Sequence, residues 1–165
     1  MNFIVEPMSD KYNTEIIDIF NFYIENSFAA YFENKLPYQF FNKFIEMTKG
    51  YPAYAILSKE TERVIGFCFL QPYSPLPVFK ETAEVTYFIE KSETGKGIGK
   101  EVLDLLESEG KKLGIKYLLA SISSHNEQSI RFHNKYGFTE CGRFHNVGKK
   151  KSNNFDVVWM EKEII

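Results

Sequence analysis

The sequence has 165 residues, of which 44% are hydrophobic and 25% are charged, and its formal net charge is −2. These values predict one globular domain over residues 1–165. They exclude a disordered chain, a coiled coil and binding to nucleic acid through a general excess of positive charge. Phe, Tyr and Trp make up 16% of the residues, which is enough to build a large core and to leave rings that line a groove.

Hydrophobic periodicity predicts seven strands and four helices. The predicted strands cover residues 3–5, 54–57, 64–70, 84–89, 117–122, 138–145 and 155–163. The predicted helices cover residues 10–25, 38–47, 97–113 and 126–136. Segment 71–79 contains three prolines and is predicted to be an irregular loop. The order of strands and helices predicts a mixed α/β domain.

The few cysteines and histidines indicate a protein of a reducing compartment without a metal site. Cys68 and Cys141 lie in apolar, strand-like segments, so we predict two reduced thiols in the core of a cytoplasmic protein, with a single disulfide as the alternative. The three histidines lack the spacing of zinc ligands, and no metal is predicted. The N-terminal segment does not resemble a signal peptide, and the longest apolar run is far too short to span a bilayer. We therefore predict no membrane partner.

The glycine-rich segment between the strand at 84–89 and the following helix is the sharpest local signal. Gly95, Gly97 and Gly99 allow a tight turn and close approach of a ligand to the backbone. The free amides at the start of the helix, together with Lys96 and Lys100, predict an anion site suited to a diphosphate. The spacing of the glycines fits neither a Walker A loop nor a Rossmann fingerprint. A turn without a ligand and a different nucleotide-binding domain remain the alternatives.

Two motifs resemble those of the GNAT N-acetyltransferase family. The first, Thr94-Gly95-Lys96-Gly97-Ile98-Gly99, is similar to the acetyl-CoA pyrophosphate loop, although Thr94 replaces the usual Gln or Arg. The second, Asn126-x-x-Ser129-Ile130-x-x-His133-x-x-x-Gly137-Phe138, is similar to the helix that follows it in the family. The resemblance covers the whole chain. It implies a GNAT fold, a mixed and mostly antiparallel central sheet of about seven strands flanked by helices, with acetyl-CoA as co-substrate.

Further segments resemble the phosphinothricin and methionine sulfoximine acetyltransferases within that family. They are Phe22 to Ser27, Tyr51-Pro52, Ala83 to Thr86, Ser129 to His133, and Gly148-x-Lys150 with Asp156-Val157. This resemblance implies a small cytoplasmic enzyme, typically a homodimer, that acetylates the amino group of a small molecule by direct attack in a ternary complex.

The resemblance assigns catalytic roles to two residues. Glu84 matches the glutamate that serves as general base, and partial burial would have to raise its pKa for that role at neutral pH. The alternative is a charged residue on a strand edge. His133 stands where many GNAT enzymes carry an acidic tyrosine, and we expect it to protonate the leaving thiolate. A packed or hydrogen-bonding histidine is the alternative.

The remaining predicted cofactor residues lie on the strand before the glycine loop, in that loop and at the start of the second motif. The backbone of Tyr87, Phe88 and Ile89 is expected to bind pantetheine like an added strand and to polarise the thioester carbonyl. Asn126 is expected to bind the pantetheine amides, to cap its helix, or both. The predicted diphosphate contacts are Gly95, Lys96, Gly97, Ile98, Gly99 and Lys100.

The acceptor side departs from the subfamily pattern. The loop at residues 73–79 lacks the arginine that binds acidic groups, and Leu76 or a neighbour fills its place. Phe28, Tyr31, Phe32 and Leu76 are therefore the predicted substrate-binding residues, and we expect a less acidic or more apolar amine than phosphinothricin. Lys149-Lys150-Lys151 is predicted to be a solvated hairpin loop, with a nucleic-acid patch as the alternative. The resemblance also implies that Lys150 and Asp156, which match subfamily positions, shape the acceptor pocket. Acetylation of a protein N-terminus and a non-catalytic module that binds CoA are the alternative functions.

Overall fold

A computed structural model of the protein describes residues 2–165, so Met1 of the predicted domain lies outside it. The strands are β1 Phe3–Pro7, β2 Ala53–Ser58, β3 Val64–Pro72, β4 Thr82–Ile89, β5 Tyr117–Ser123, β6 Thr139–Lys150 and β7 Asn153–Glu163. The helices are α1 Asn13–Asn26, α2 Phe41–Met47, α3 Ile98–Lys112 and α4 Glu127–Lys135. The predicted order of elements is confirmed throughout this range.

The element boundaries differ from the prediction mainly at three places. The first two predicted helices begin with short 3-10 turns, Asp10–Tyr12 and Tyr38–Phe40, before the α-helices start. Strand β6 was predicted to end at residue 145 and continues to Lys150, where it forms a hairpin with β7. Almost all of β6 is exposed, so its sequence has no alternation of buried and polar residues to mark its length.

One seven-stranded sheet organises the chain in the order β1-β2-β3-β4-β5-β7-β6. Every neighbouring pair is antiparallel except β4 and β5, which run parallel. These two strands pair only from Thr82 to Glu84 against Tyr117 to Leu119 and then separate. The sheet is therefore open between the carboxyl-terminal halves of β4 and β5.

Two apolar clusters cover the faces of the sheet. One contains residues from α3, β5 and β7, including Leu103, Leu118 and Met160. The other joins α1 and α2 to β2 and β3 and is rich in phenylalanine. Phe20, at its centre, makes edge-to-face contacts with Phe44, Phe67 and Phe88. Much of the aromatic content therefore builds core, where rings bury large apolar areas.

The two cysteines occupy different environments. Cys68, on β3, is fully buried, as predicted, whereas the prediction that Cys141 lies in the core is wrong. Cys141 is exposed because β6 is the edge strand of the sheet. Both thiols are free, so the predicted pair of reduced cysteines is confirmed and the disulfide alternative is excluded.

The turn between β6 and β7 is not a solvated loop throughout. Lys150 is only 1% exposed, and its Nζ donates to the carbonyl oxygens of Ser27 and Ala30, each at 2.8 Å. The backbone amide of Lys151 donates to the Glu33 carboxylate at 3.0 Å. The hairpin therefore anchors the segment at residues 27–33. The prediction of a solvated loop is wrong for Lys150, because its buried Nζ donates hydrogen bonds to two backbone carbonyls.

Candidate active site

A cavity of about 710 Å³ fills the opening between β4 and β5. Residues of β4 form one wall, and residues 120–122 of β5 form the other. The loop before α3 and one side of α4 close its outer end. Most of the predicted cofactor residues line this one cavity, among them Tyr87, Gly97 and Asn126.

The glycine loop has the geometry of an anion site. Gly95 and Gly97 have φ angles of 79° and 88°, in the left-handed region that other residues avoid. Gly97 is the N-cap of α3, and its carbonyl accepts from the amides of Lys100 and Glu101. Within residues 2–165, no protein acceptor takes the backbone amides of residues 95–99. These donors, at the positive end of a helix of 15 residues, fit a diphosphate.

Gly99 serves packing rather than backbone conformation. A Cβ atom at this position would lie 3.2 Å from the Phe132 ring on α4. Its small size lets α3 approach α4 closely beside the cavity. Of the three glycines that the sequence singled out, two are therefore required by their φ angles and the third by a neighbouring ring.

The two lysines of the loop form ion pairs with acidic neighbours. Lys96 lies 3.0 Å from a Glu93 oxygen, and Lys100 pairs with Asp104 one turn along α3. Lys100 lines the cavity. The Thr94 hydroxyl, which replaces the longer family side chain, donates to the Lys91 carbonyl at 2.8 Å. These three side chains already have partners in the protein, whereas the backbone amides of residues 95–99 have none. The amides are therefore the main free donors at this end of the cavity.

The free edge of β4 presents backbone donors to the cavity. The Glu90 amide donates to Ile65 in β3 at 2.7 Å, so alternation turns the amides of Tyr87 and Ile89 towards the opening. Pairing with β5 ends at Glu84, which leaves these two amides beyond the ladder. The backbone of Phe88 faces β3 by the same alternation, and its ring packs on Phe20 in the core.

Glu84 lies where β4 and β5 begin to separate. It is half-buried, and the Gln71 Nε2 atom on β3 donates to its Oε2 at 3.3 Å. Burial raises the pKa of the Glu84 carboxyl, and the hydrogen bond from Gln71 acts in the opposite direction. A raised pKa in a partly buried carboxylate is the condition that a general base near neutral pH requires.

His133 is buried beside Tyr87, and both residues line the cavity. It is 3% exposed, and its Nδ1 lies 2.7 Å from the Ser129 carbonyl, which can only accept. In the neutral imidazole the other nitrogen, Nε2, therefore accepts from the Tyr87 hydroxyl at 2.5 Å. Burial lowers the pKa of His133 against the effect of its Ser129 hydrogen bond, which favours this neutral form. The Tyr87 hydroxyl is therefore the hydrogen-bonding partner of Nε2 in the lining of the cavity.

Asn126 is the N-cap of α4. Its Oδ1 accepts from the Ser129 amide at 3.3 Å, as Asn commonly does at this position. The same residue lines the cavity, which leaves its Nδ2 group as a donor on that side. Helix capping is confirmed, and binding of the pantetheine amides stays a prediction.

The predicted acceptor residues divide into two groups. Phe28 packs against His125, and the ring of Tyr31 stacks on Phe155 at 5.6 Å. The Tyr31 hydroxyl lies 3.1 Å from Ser121 Oγ on β5. The charge of Glu84 also contributes to raising the pKa of Tyr31, after the larger effect of burial. Tyr31 therefore lies near Glu84, and Phe28 is connected to Tyr31 through their shared contact with Phe155.

The other two acceptor residues lie apart from this group. Phe32 makes edge-to-face contacts with Phe20 and Phe40, so it extends the phenylalanine-rich core. Leu76 is 58% exposed on the loop between β3 and β4. Contact of Phe32 and Leu76 with the acceptor stays a prediction.

Three features of the site were not found from the sequence. Gln71 contacts Glu84 through cross-strand pairing, Tyr23 donates to the Ile89 carbonyl, and Lys150 anchors the segment at 27–33. The first two depend on long-range register, for which a single sequence carries no signal. Lys150 had a signal, because it falls in a segment that matches the subfamily.

Replacing Gly97 by alanine is expected to weaken CoA binding roughly tenfold. A side chain in the left-handed region costs about 1–2 kcal/mol, and relaxation of the turn moves the free amides away from the diphosphate. The matched control is Gly142→Ala on β6, where a Cβ atom meets open space and φ is not positive. Calorimetry with CoA measures both variants, and equal affinities for the two would contradict the role of the loop.

Two kinds of feature are absent from the described residues. Across residues 2–165, no group of three or more His, Cys, Asp or Glu side chains is arranged to hold a metal ion. No helix in the same range combines the length and the apolar character needed to cross a membrane.

Known proteins share both the sequence pattern and the fold. Residues 10–159 match the family described as "Acetyltransferase (GNAT) domain". L-methionine sulfoximine/L-methionine sulfone acetyltransferase of Salmonella typhimurium is 30% identical over 70% of this chain and 66% of that protein, so the match spans about two thirds of its length.

Two solved structures superpose on nearly the whole chain. An N-acetyltransferase from Staphylococcus aureus Mu50 has a TM-score of 0.91 at 26% identity and full coverage of both chains. A GNAT superfamily phosphinothricin acetyltransferase from Sinorhizobium meliloti, in complex with AcCoA, has a TM-score of 0.91 at 24% identity, covering 99% of this chain and 89% of that one. The family match over 150 residues, 10–159, on this seven-stranded sheet leads to one conclusion: the chain belongs to the GNAT acetyltransferase family.

Proposed function

We propose that the protein is an acetyl-CoA-dependent N-acetyltransferase that acts on the primary amine of a small, amino-acid-like molecule. The observation that carries this proposal is the opening between β4 and β5, which has uncommitted loop amides at its outer end. Glu84 is not part of the cavity lining but stands where the two strands begin to separate, next to the lining residue Val85. A thioester that extends along β4 from the diphosphate site would carry its acetyl group towards this carboxylate. The name of the Salmonella relative supports an amino acid analogue as acceptor.

The roles of the residues follow from their positions. Acetyl-CoA supplies the acetyl group as a reactive thioester. The amides of residues 95–99 hold the diphosphate, and the amides of Tyr87 and Ile89 face the opening, where a donor can polarise a carbonyl oxygen. Glu84 takes the proton that the acceptor amine loses, because only a neutral amine is a nucleophile. The chain uses no nucleophile of its own, and transfer is direct.

We also propose that the proton of the leaving thiolate comes from His133 through the Tyr87 hydroxyl. The imidazolium form donates from Nε2 to Tyr87, whose own proton then turns towards the cavity. Tyr87→Phe and His133→Asn are each expected to lower kcat about 10²-fold, and the double variant no further, because the two groups act as one relay. Steady-state kinetics near pH 6 measures this, with Tyr117→Phe as the control for loss of a remote hydroxyl.

The pH dependence tests the same relay. Because the pKa of His133 is lowered, its charged form is lost as pH rises through a value below the usual one, and kcat should fall there. If Tyr87→Phe has the kcat of the wild type, Tyr87 does not carry the proton to the thiolate. If the kcat of the wild type stays constant from pH 5 to pH 9, His133 is not the source of that proton.

The acceptor is proposed to be less acidic than phosphinothricin. Phe28 and Tyr31 each pack against Phe155, and Tyr31 lies near Glu84. Loop 73–79 offers no arginine to a phosphinate or carboxylate. Thiol release should be measured with phosphinothricin, methionine sulfoximine, free amino acids, aromatic amines and polyamines. We expect the highest kcat/KM with an apolar or aromatic amino acid or amine, and robust turnover of phosphinothricin would contradict the proposal.

We further propose a cytoplasmic homodimer. The two free cysteines fit a reducing compartment. Strand β6 ends the sheet and exposes Phe144 at 58% and Val147 at 61%, which favours burial against a second copy. Light scattering after size exclusion should give twice the mass of the 19.3 kDa chain, and the single-chain mass would contradict the dimer.

A further inference from the structure

Gln71 is the direct cross-strand partner of Glu84. The register of β3 and β4 places the two residues opposite each other, and Gln71 Nε2 donates to Glu84 Oε2 at 3.3 Å. Both side chains are half-buried. Among the described residues, no Lys, Arg or His forms an ion pair with Glu84. The Gln71 amide is therefore the polar group that holds this carboxylate in place.

The same amide has an unsatisfied atom. Gln71 Oε1 is buried and accepts no hydrogen bond. A buried acceptor without a donor costs free energy. The observed orientation of the Gln71 amide is therefore favourable only while Glu84 is a charged carboxylate, which accepts the hydrogen bond from Nε2. A carboxyl group that has gained a proton needs an acceptor instead. Gln71 can supply one by rotating its amide, which exchanges the oxygen and the nitrogen.

We propose that Gln71 is a positioning residue that serves both protonation states of Glu84. The inference rests on the proposed function, in which Glu84 accepts the proton of the acceptor amine. Before transfer, Nε2 donates to the carboxylate. When the amine N–H bond breaks and the proton moves to Glu84, the amide turns by about half a rotation, and Oε1 accepts from the new carboxyl O–H.

The other neighbours of Glu84 cannot take over this role. Leu119 pairs with it from β5 and is apolar. Tyr31, the titratable group on the segment after α1, has its hydroxyl hydrogen-bonded to Ser121. Gln71 thus faces Glu84 from β3, Leu119 from β5 and Tyr31 from the loop, and of the two polar groups only the Gln71 amide is hydrogen-bonded to the carboxylate. Loss of this amide should therefore change how readily Glu84 ionises.

The test is the pH profile of kcat/KM in Gln71→Leu. Leucine is similar in size but offers neither a donor nor an acceptor. The hydrogen bond to the charged carboxylate is the stronger of the two that are lost, so the charged form of Glu84 loses more stability and the base is lost at a higher pH. We expect the acid limb to move up by about one pH unit, with CoA affinity unchanged. Gln71→Glu places a second carboxyl opposite Glu84 and should move the limb further in the same direction. Gln39→Leu, at an exposed glutamine, is the matched control.

A purely structural role for Gln71 predicts another pattern. Gln71→Leu would then change stability or CoA binding while the acid limb stays where it is in the wild type, and that result would overturn the proposal. CoA-induced thermal stabilisation establishes that each variant is folded. Full activity of Glu84→Gln would overturn the base assignment of the proposed function, which separates that failure from the failure of Gln71 alone.

Discussion

Replacing Glu84 by glutamine is expected to lower kcat about 10²-fold or more while CoA binding stays unchanged. Glutamine keeps the size of the side chain and a hydrogen-bonding partner for Gln71 but cannot accept a proton from an amine. Glu84 lies at the inner end of the opening, away from the amides of residues 95–99, so the diphosphate site should be intact. The measurement is a thiol-release assay beside calorimetry with CoA.

The control for this variant is Glu81→Gln. Glu81 lies just before β4 and pairs with Lys116 at 3.0 Å on the surface, where a single ion pair contributes little. Its loss should leave kcat unchanged. Equal, measurable rates for Glu84→Gln and the wild type would favour a different base, whereas CoA binding without thiol release by the wild type would favour a module that does not transfer the acetyl group.

The pH dependence should identify the same carboxyl. The active form of the base is the carboxylate, so kcat/KM falls as pH drops below the pKa of Glu84. Burial raises that pKa, which places the acid limb above the range of an exposed glutamate. In Glu84→Gln, the residual rate should lose this limb.

The glycine loop and the order of elements could be predicted because both are local. Glycines at 95 and 97 indicate left-handed backbone, and the hydrophobic period marks each helix that packs on the sheet. The opening between β4 and β5 could not be predicted in this way. Both segments read as ordinary apolar strands, and the point at which their pairing stops depends on how the two halves of the sheet pack.

The contacts of single polar residues were harder to predict for the same reason. Lys150 belongs to a run of three lysines, and such runs are usually solvated, yet two carbonyls from a segment more than 100 residues away enclose its amine. Gln71 ends a buried strand, and only the strand register reveals that it faces Glu84. Chemistry carried by a motif is visible in a sequence, whereas chemistry carried by a partner on another strand is not.

Replacing Lys150 by methionine is expected to destabilise the fold by about 2 kcal/mol and to raise KM for the acceptor amine more than KM for acetyl-CoA. Methionine fills the same space but leaves the carbonyls of Ser27 and Ala30 without donors in a buried position, and each such loss costs about 1–3 kcal/mol. Relief of a buried charge offsets part of this cost, because burial already lowers the pKa of Lys150. Thermal unfolding should show a midpoint about 5 °C lower.

The effect on KM separates this anchor from a purely structural contact. The two carbonyls belong to the segment that carries Phe28 and Tyr31, of which Tyr31 lies near Glu84, whereas the diphosphate loop is held by α3. Lys149→Met, one residue away and exposed, removes the same charge without touching either carbonyl and should change neither the midpoint nor KM. If Lys150→Met lowers the midpoint while KM for the amine stays at its wild-type value, the segment at 27–33 does not shape the acceptor site, and the aromatic residues on it would lose their proposed role.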